Sequence, residues 1–168
     1  MDAETVRSVV AAYADTRMIE ANGDVFAIYD PDNDYERRPR QGWATIVNSD
    51  VNDSESGLDR PGVFRLNIGL PKPRYEELFH TGPDADADAA DADADAVASA
   101  NADADADAGY DPTAVDVVMP HPVYAGYHWA CVLNPDATWS EVRGLLDDAH
   151  AFAVRKHQNA ARRREGRA

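Results

Sequence analysis

Lysine and cysteine are nearly absent from this sequence: of 168 residues, only Lys72 and Lys156 are lysines, and Cys131 is the single cysteine. One thiol cannot form an intramolecular disulfide, so a small secreted scaffold held by bridges is excluded. Long apolar runs are missing as well. No stretch approaches the roughly 18 consecutive apolar residues of a membrane-spanning helix. The opening MDAETVRSVVAAYADTR has neither the basic start nor the apolar run of a signal peptide, so the cytoplasm is the expected location. There is no phosphate loop, dinucleotide fingerprint or nucleophile-elbow serine, and Gly57, Gly62 and Gly69 are too scattered to cradle a phosphate. No catalytic constellation is readable.

What the chain has in excess is acid. Aspartate and glutamate number 31 against 16 lysines and arginines, a formal net charge of −15. Nine of the aspartates lie in an alternating Asp-Ala stretch from Asp84 to Ala108. Alanine favours helix, but aspartates four apart repel, and as a strand the stretch would line one face with a residue that strands avoid. Neither form buries anything, so a disordered acidic insertion is predicted over 83–109. An Asp-rich, Lys-poor composition suits a salt-rich cytoplasm, where a Debye length of about 3 Å at 1 M screens self-repulsion.

The remaining segments read as one α+β domain, with its first part over 1–82 and its second over 110–157. Val6, Val9, Val10 and Tyr13 predict an amphipathic helix capped by Asp2. Val25–Tyr29 and Trp43–Val47 are β-rich runs bounded by turn residues. From Val63 to Ile68 the pattern alternates: Phe64, Leu66 and Ile68 face inward, and Arg65 and Asn67 form a polar outer face. A short helical turn is expected over Arg74–Phe79, then Asp116–Met119 leading into an extended or turning Pro120-His121-Pro122, and a strand over Tyr127–Leu133. Thr138 and Glu141 form a capping box for a last helix with a stripe from Trp139 to Ala153. A basic flexible tail is expected over 158–168. With few segments able to supply parallel crossovers, the architecture predicted is a mainly antiparallel sheet with helices on one face.

LDRPGVFRLNIGL (Leu58–Leu70) and MPHPVYAGYHWACVLNP (Met119–Pro135), with WATIVNSD before and the capped helix after, resemble a prokaryotic family known as domain of unknown function 6194. That resemblance covers most of the chain outside the Asp-Ala stretch and the basic tail. It implies no activity and no catalytic residue to transfer, and the insertion falls between its two motifs. A second likeness joins HWACVLNPDATWSEVRGLLDDAHAFAVRKH to the carboxyl end of MmcQ/YjbR-like proteins. It implies a compact antiparallel α+β fold of the double-wing DNA-binding kind; such an analogy speaks for fold and not function.

Several groupings resemble metal sites and fail on spacing. His121, His128 and Cys131 follow no zinc pattern, and in a strand His128 and Cys131 face opposite ways. His150 and His157 are too far apart on the last helix to share an ion. The acidic run Asp50–Gly57 lacks the EF-hand glycine and glutamate positions. No metal and no cofactor are therefore expected. The binding candidates are Arg60, Arg65, Asn67, His121 and Tyr124, which would converge on one cleft for a small anionic ligand if their strands pair. Arg162, Arg163, Arg164 and Arg167 offer a contrasting reading, a nucleic-acid-associated regulator of double-wing type. The acidic balance and a salt-rich setting argue against nucleic acid as the partner. An enzyme with an unrecognised site is the third reading. A membrane partner is not expected, and the oligomeric state is open.

Overall fold

The computed structural model describes residues 1–51, 54–79 and 109–166; the predicted Asp-Ala disorder lies outside the described residues. In chain order the elements are α1 (Ala3–Ala11), β1 (Thr16–Ala21), β2 (Asp24–Tyr29), β3 (Ala44–Val47), β4 (Arg65–Gly69), α2 (Lys72–Phe79), β5 (Met119–Pro120), a 3₁₀ turn over Ala125–Tyr127, β6 (Trp129–Leu133) and α3 (Trp139–Glu165). The six strands form one sheet in the order β1-β2-β3-β4-β6-β5, with antiparallel neighbours throughout. The α+β class and the antiparallel sheet predicted from the sequence are therefore what the chain adopts.

Alternation along the strands sorts the core. Val25, Ala27, Ala44, Ile46, Leu66, Ile68, Ala130 and Val132 turn to one face, where Val6 and Val10 of α1 and Val142, Leu145, Leu146 and Ala149 of α3 meet them. Asp2 caps α1 as expected, its carboxylate accepting from the Thr5 amide at 2.8 Å. Two strands escaped prediction. β1 pairs with β2 through a tight hairpin at Asn22-Gly23, both in the left-handed region with φ of 55° and 85°. The Asn-Gly pair carried that signal; β1 itself alternates too weakly to be seen. The other, β5, is two residues long.

The two motifs that carry the family resemblance are neighbours in the sheet. β4 and β6 pair over their full length, Arg65 opposite Leu133, Asn67 opposite Cys131 and Gly69 opposite Trp129. The Trp129 ring lies over Gly69 so closely that a Cβ there would stand 3.2 Å from the indole. A side chain here would force the indole to give way by a few tenths of an ångström, so the approach of the ring favours glycine. Asn134 closes the end of the pair, accepting from the Phe64 amide at 3.0 Å and donating to the Gly62 carbonyl at 2.7 Å.

The start of α3 departs from the sequence reading. Thr138 has helical backbone angles and makes no side-chain capping bond, so the Thr138–Glu141 box is not formed. Asp116, far back in the chain and held at φ 61°, supplies the cap instead. Its carboxylate accepts from the amides of Asp136 (2.7 Å), Ala137 (2.9 Å) and Thr138 (3.0 Å), and from the Thr138 hydroxyl (2.6 Å). The Thr138 hydroxyl and these amides hold the Asp116 carboxyl far below the usual carboxylate range. A depressed folded-state pKa means stability that is fully present above the unfolded value of about 4 and lost as pH falls through the folded one. Asp116→Asn is therefore expected to melt lower than wild type at pH 7 and to show a shallower fall in Tm between pH 5 and pH 2. Parallel acid titrations of the two proteins followed by circular dichroism test it, and superimposable curves would remove the cap.

α3 also runs on through most of the segment predicted as a flexible tail, with residues 158–165 helical. Alanine, glutamine and arginine are good helix formers, and Arg162, Arg163 and Arg164 sit where they complement the helix dipole.

Candidate functional site

The face of the sheet turned away from α1 and α3 is not the solvated polar surface the alternation suggested. Arg65 is 1 % exposed and Asn67 6 %. The chain between β3 and β4 folds over this end, and Leu58 packs with Val47 and Leu133 there. Strand alternation fixes which way a side chain points, but a covering loop decides whether water reaches it. Arg65 donates from Nε to Asn67 Oδ1 at 2.9 Å and from Nη1 to Ser56 Oγ at 2.7 Å. Arg60 is exposed and binds three carbonyls, those of Gly57 (2.8 Å), Ser56 (3.0 Å) and Thr113 (3.1 Å). Ser56, which the sequence reading passed over inside a turn-rich loop, thus joins both arginines.

Of the remaining predicted residues, His121 is fully buried and Tyr124 half exposed. His121 Nδ1 accepts from the amides of Val123 and Tyr124, each at 3.1 Å, which leaves the ring proton of the neutral form on Nε2. Its ring lies 4.8 Å from that of Tyr124. The structure therefore forms two pairs, Arg65 with Asn67 and His121 with Tyr124. They occupy different registers: Met119 shares a row with Cys131 and Asn67, while the His121 amide bonds to the Trp129 carbonyl, farther along β6.

A different set of groups gathers where α1 meets α3. Thr5, Ser8, Val9, Ala12 and Tyr13 from α1 and its end, with Arg143 and Asp147 from α3, line an open groove of about 430 Å³. Tyr13 donates its hydroxyl to Asp147 Oδ1 at 2.5 Å. Burial and that carboxylate together push the Tyr13 phenol well above its ordinary range, so it remains a donor. Arg143 stands one turn before Asp147 and acts on the same phenol. The Tyr13 ring packs edge-on against Trp43 at 5.2 Å and tilted against His150 at 5.1 Å. His150 is fixed in turn by the Ala14 carbonyl at 2.8 Å. The groove thus presents a guanidinium, a carboxylate and two hydroxyls over an apolar floor of Val9 and Ala12, on a rigid aromatic support.

Nothing in the sequence flags this arrangement, because Tyr13 and Asp147 are separated by 134 positions. Each reads singly as the polar edge of an amphipathic helix. His157, on the same side of α3 as His150, sits 3.2 Å from Asp32, and Tyr29 lies between the two rings at 5.5 and 5.6 Å. The two histidines are packing groups, as their spacing suggested.

Carboxylates elsewhere are held in their charged form. Burial alone would raise Asp30, but the Asp34 amide and the Arg40 guanidinium outweigh it and bring its pKa down. Asp34 is lowered chiefly by its hydrogen bond from Arg40 at 2.5 Å. Arg40 bridges both buried aspartates and so fixes the loop after β2. Asp2, Asp111 and Asp116 are lowered too, each by a hydroxyl or amide bond. Among the described residues no group of three or more His, Cys, Asp or Glu is placed to hold a metal ion. Nor, among them, is any helix long and apolar enough to cross a membrane.

A family of unknown function, DUF6194, matches residues 1–164, nearly the whole chain. The chain belongs to that family. No curated protein and no solved structure matches it. The family match spans α1 through α3, so the groove between those helices lies within the family domain, as does the Arg65 face.

Proposed function

We propose that the chain is a non-catalytic binding module that holds a small polar ligand with an acidic group in the groove between α1 and α3. One observation carries this reading: Arg143, Asp147, Tyr13, Thr5 and Ser8 converge on an open groove with an apolar floor. The acid would meet Arg143, and a hydroxyl or ammonium on the ligand would meet Asp147 and the α1 hydroxyls. Asp2, Asp30, Asp34, Asp111 and Asp116 are shifted downward, the direction of structural hydrogen bonds, and none of them lines the groove. A salt-rich cytoplasm is the setting we propose. The Asp-rich, Lys-poor composition and a lone buried thiol at Cys131 support it.

An anion held by Arg60, Arg65, Asn67, His121 and Tyr124 is the competing location. Binding at Arg65 would have to displace its bonds to Ser56 and Asn67. One experiment separates the two. Thermal unfolding in concentrated potassium chloride is followed with amino acids, hydroxy acids, sugar acids, nucleotides and phosphate. A ligand at 100 times its dissociation constant adds about 2.7 kcal/mol, a rise of the order of 5–15 °C in a domain this size. In Arg143→Gln that rise disappears while the unliganded Tm changes little, since surface substitutions shift stability by about 0.5 kcal/mol or less. A rise that survives Arg143→Gln and is lost in Arg60→Gln moves the site to the sheet face; no rise with any compound defeats the small-ligand reading.

A further inference from the structure

The second half of α3 is a basic arm. All four buried residues of the helix, Val142, Leu145, Leu146 and Ala149, lie in its first half. From Ala149 to Glu165 it continues for ~24 Å at 1.5 Å per residue. In an otherwise acidic chain, this stretch and the residues after it concentrate positive charge. Six of the 16 lysines and arginines fall within the last 14 residues, opposed by Glu165 alone. Arg155, Lys156, Arg162, Arg163 and Arg164 are all exposed.

Their spacing makes a stripe. Seven residues is close to two helical turns, so Arg162 returns to the side of Arg155, and Arg163 to that of Lys156, with a drift of only ~20°. Phe152 stands at the base of the stripe, under Arg155 at 5.7 Å and Lys156 at 5.0 Å. Compensation of the helix dipole explains basic residues in the last turn only. Arg155 and Lys156 lie more than two turns upstream of the helix end, beyond the reach of that effect.

We infer that this arm is a docking surface for the phosphate backbone of a nucleic acid, bound without base readout. Charge complementarity selects a polyanion. The arm's composition selects among polyanions: from Arg155 to Glu165 its residues are Arg, Lys, His, Gln, Asn, Ala and one Glu, with no large apolar side chain. A helix that lies on a membrane needs an apolar face to bury, and this one has none. Exposed basic side chains along a helix are what sequence-independent phosphate contact uses. The acidic composition that argued against nucleic acid weighs less once these basic side chains line one exposed stretch of helix. At the molar salt of the proposed setting the same contacts weaken, so the arm would act there as a low-affinity anchor. The inference is independent of the groove, which lies on the first half of α3.

Fluorescence anisotropy of a mixed-sequence DNA duplex tests it on the full chain, from 100 to 400 mM potassium chloride. Sucrose is added to keep the protein folded, and circular dichroism is read in the same buffers. With about four phosphate contacts, affinity should fall by roughly 10²-fold across that range, at a slope of about 0.9 per contact in log–log form. Arg155→Gln/Arg162→Gln/Arg163→Gln should weaken binding at 100 mM by more than about tenfold and reduce the slope by about 3. Binding equal in the triple variant, or none by folded protein at 100 mM, overturns the inference. So does tighter binding to anionic lipid vesicles or to polyglutamate than to the duplex. Arg143→Gln, which empties the groove, should leave duplex binding within about twofold.

Discussion

Arg65→Ala is expected to cost about 3–5 kcal/mol of stability with no ligand present, and so to lower Tm by about 6–20 °C. Arg65 is 1 % exposed, seated between Val47 and Leu133 in adjacent strands. Truncation removes the packed stem of a long side chain and leaves a cavity under the loop that carries Leu58. It also strips the donor from Asn67 Oδ1 and Ser56 Oγ, two acceptors held at 2.9 and 2.7 Å. A buried acceptor left without its donor costs about 1–3 kcal/mol. Arg65→Met separates the two contributions, because it fills most of the volume and makes none of the hydrogen bonds. Its loss should be the smaller, about 1–3 kcal/mol. Urea unfolding of the three proteins measures both. If Arg65→Ala cost less than about 1 kcal/mol, the guanidinium would be held for a ligand and not for the fold.

The second large effect belongs to α3. Leu146 is 0 % exposed and lies in the core between α3 and the sheet. Leu146→Ala should cost about 2–5 kcal/mol, the range for a buried leucine whose cavity cannot fully collapse. Three turns further on, the exposed Gln158→Ala should change stability by no more than about 0.5 kcal/mol. The contrast tests whether the apolar docking of α3 is concentrated in its first half, with His157 against Tyr29 and Asp32 as a polar contact farther on. Equal losses at the two positions would mean that the arm is packed along its whole length, and the phosphate-binding inference would lose its basis.

The legible part of the fold was the part written in local pattern. Val6 and Val10 at helical spacing, and Leu66 with Ile68 at period two, each needed only a few neighbouring residues to be read. The pairing of the Leu66 strand with the Trp129 strand stood in the sequence only as a condition for the cleft, and β4 and β6 do lie side by side. β1 was missed for a physical reason: Thr16, Arg17 and Glu20 sit on an edge strand, where one flank is open and polar residues are tolerated. The candidate site was the less legible. Arg65 and Asn67 do meet, and so do His121 and Tyr124, but whether either pair faces solvent depends on loops whose course turn-rich composition does not reveal.

The sequence by itself determined the class, the core stripes, the cap on α1 and the acidic balance, since each follows from side chains a few positions apart and their contact with water. Tertiary structure alone decided three matters. It buried Arg65 by laying Ser56 and Leu58 over the sheet, it gave the cap of α3 to Asp116, and it brought Tyr13 to Asp147. All three join groups distant in the chain. Such contacts form only once the core has fixed the elements that carry them, so no local pattern of residues encodes them.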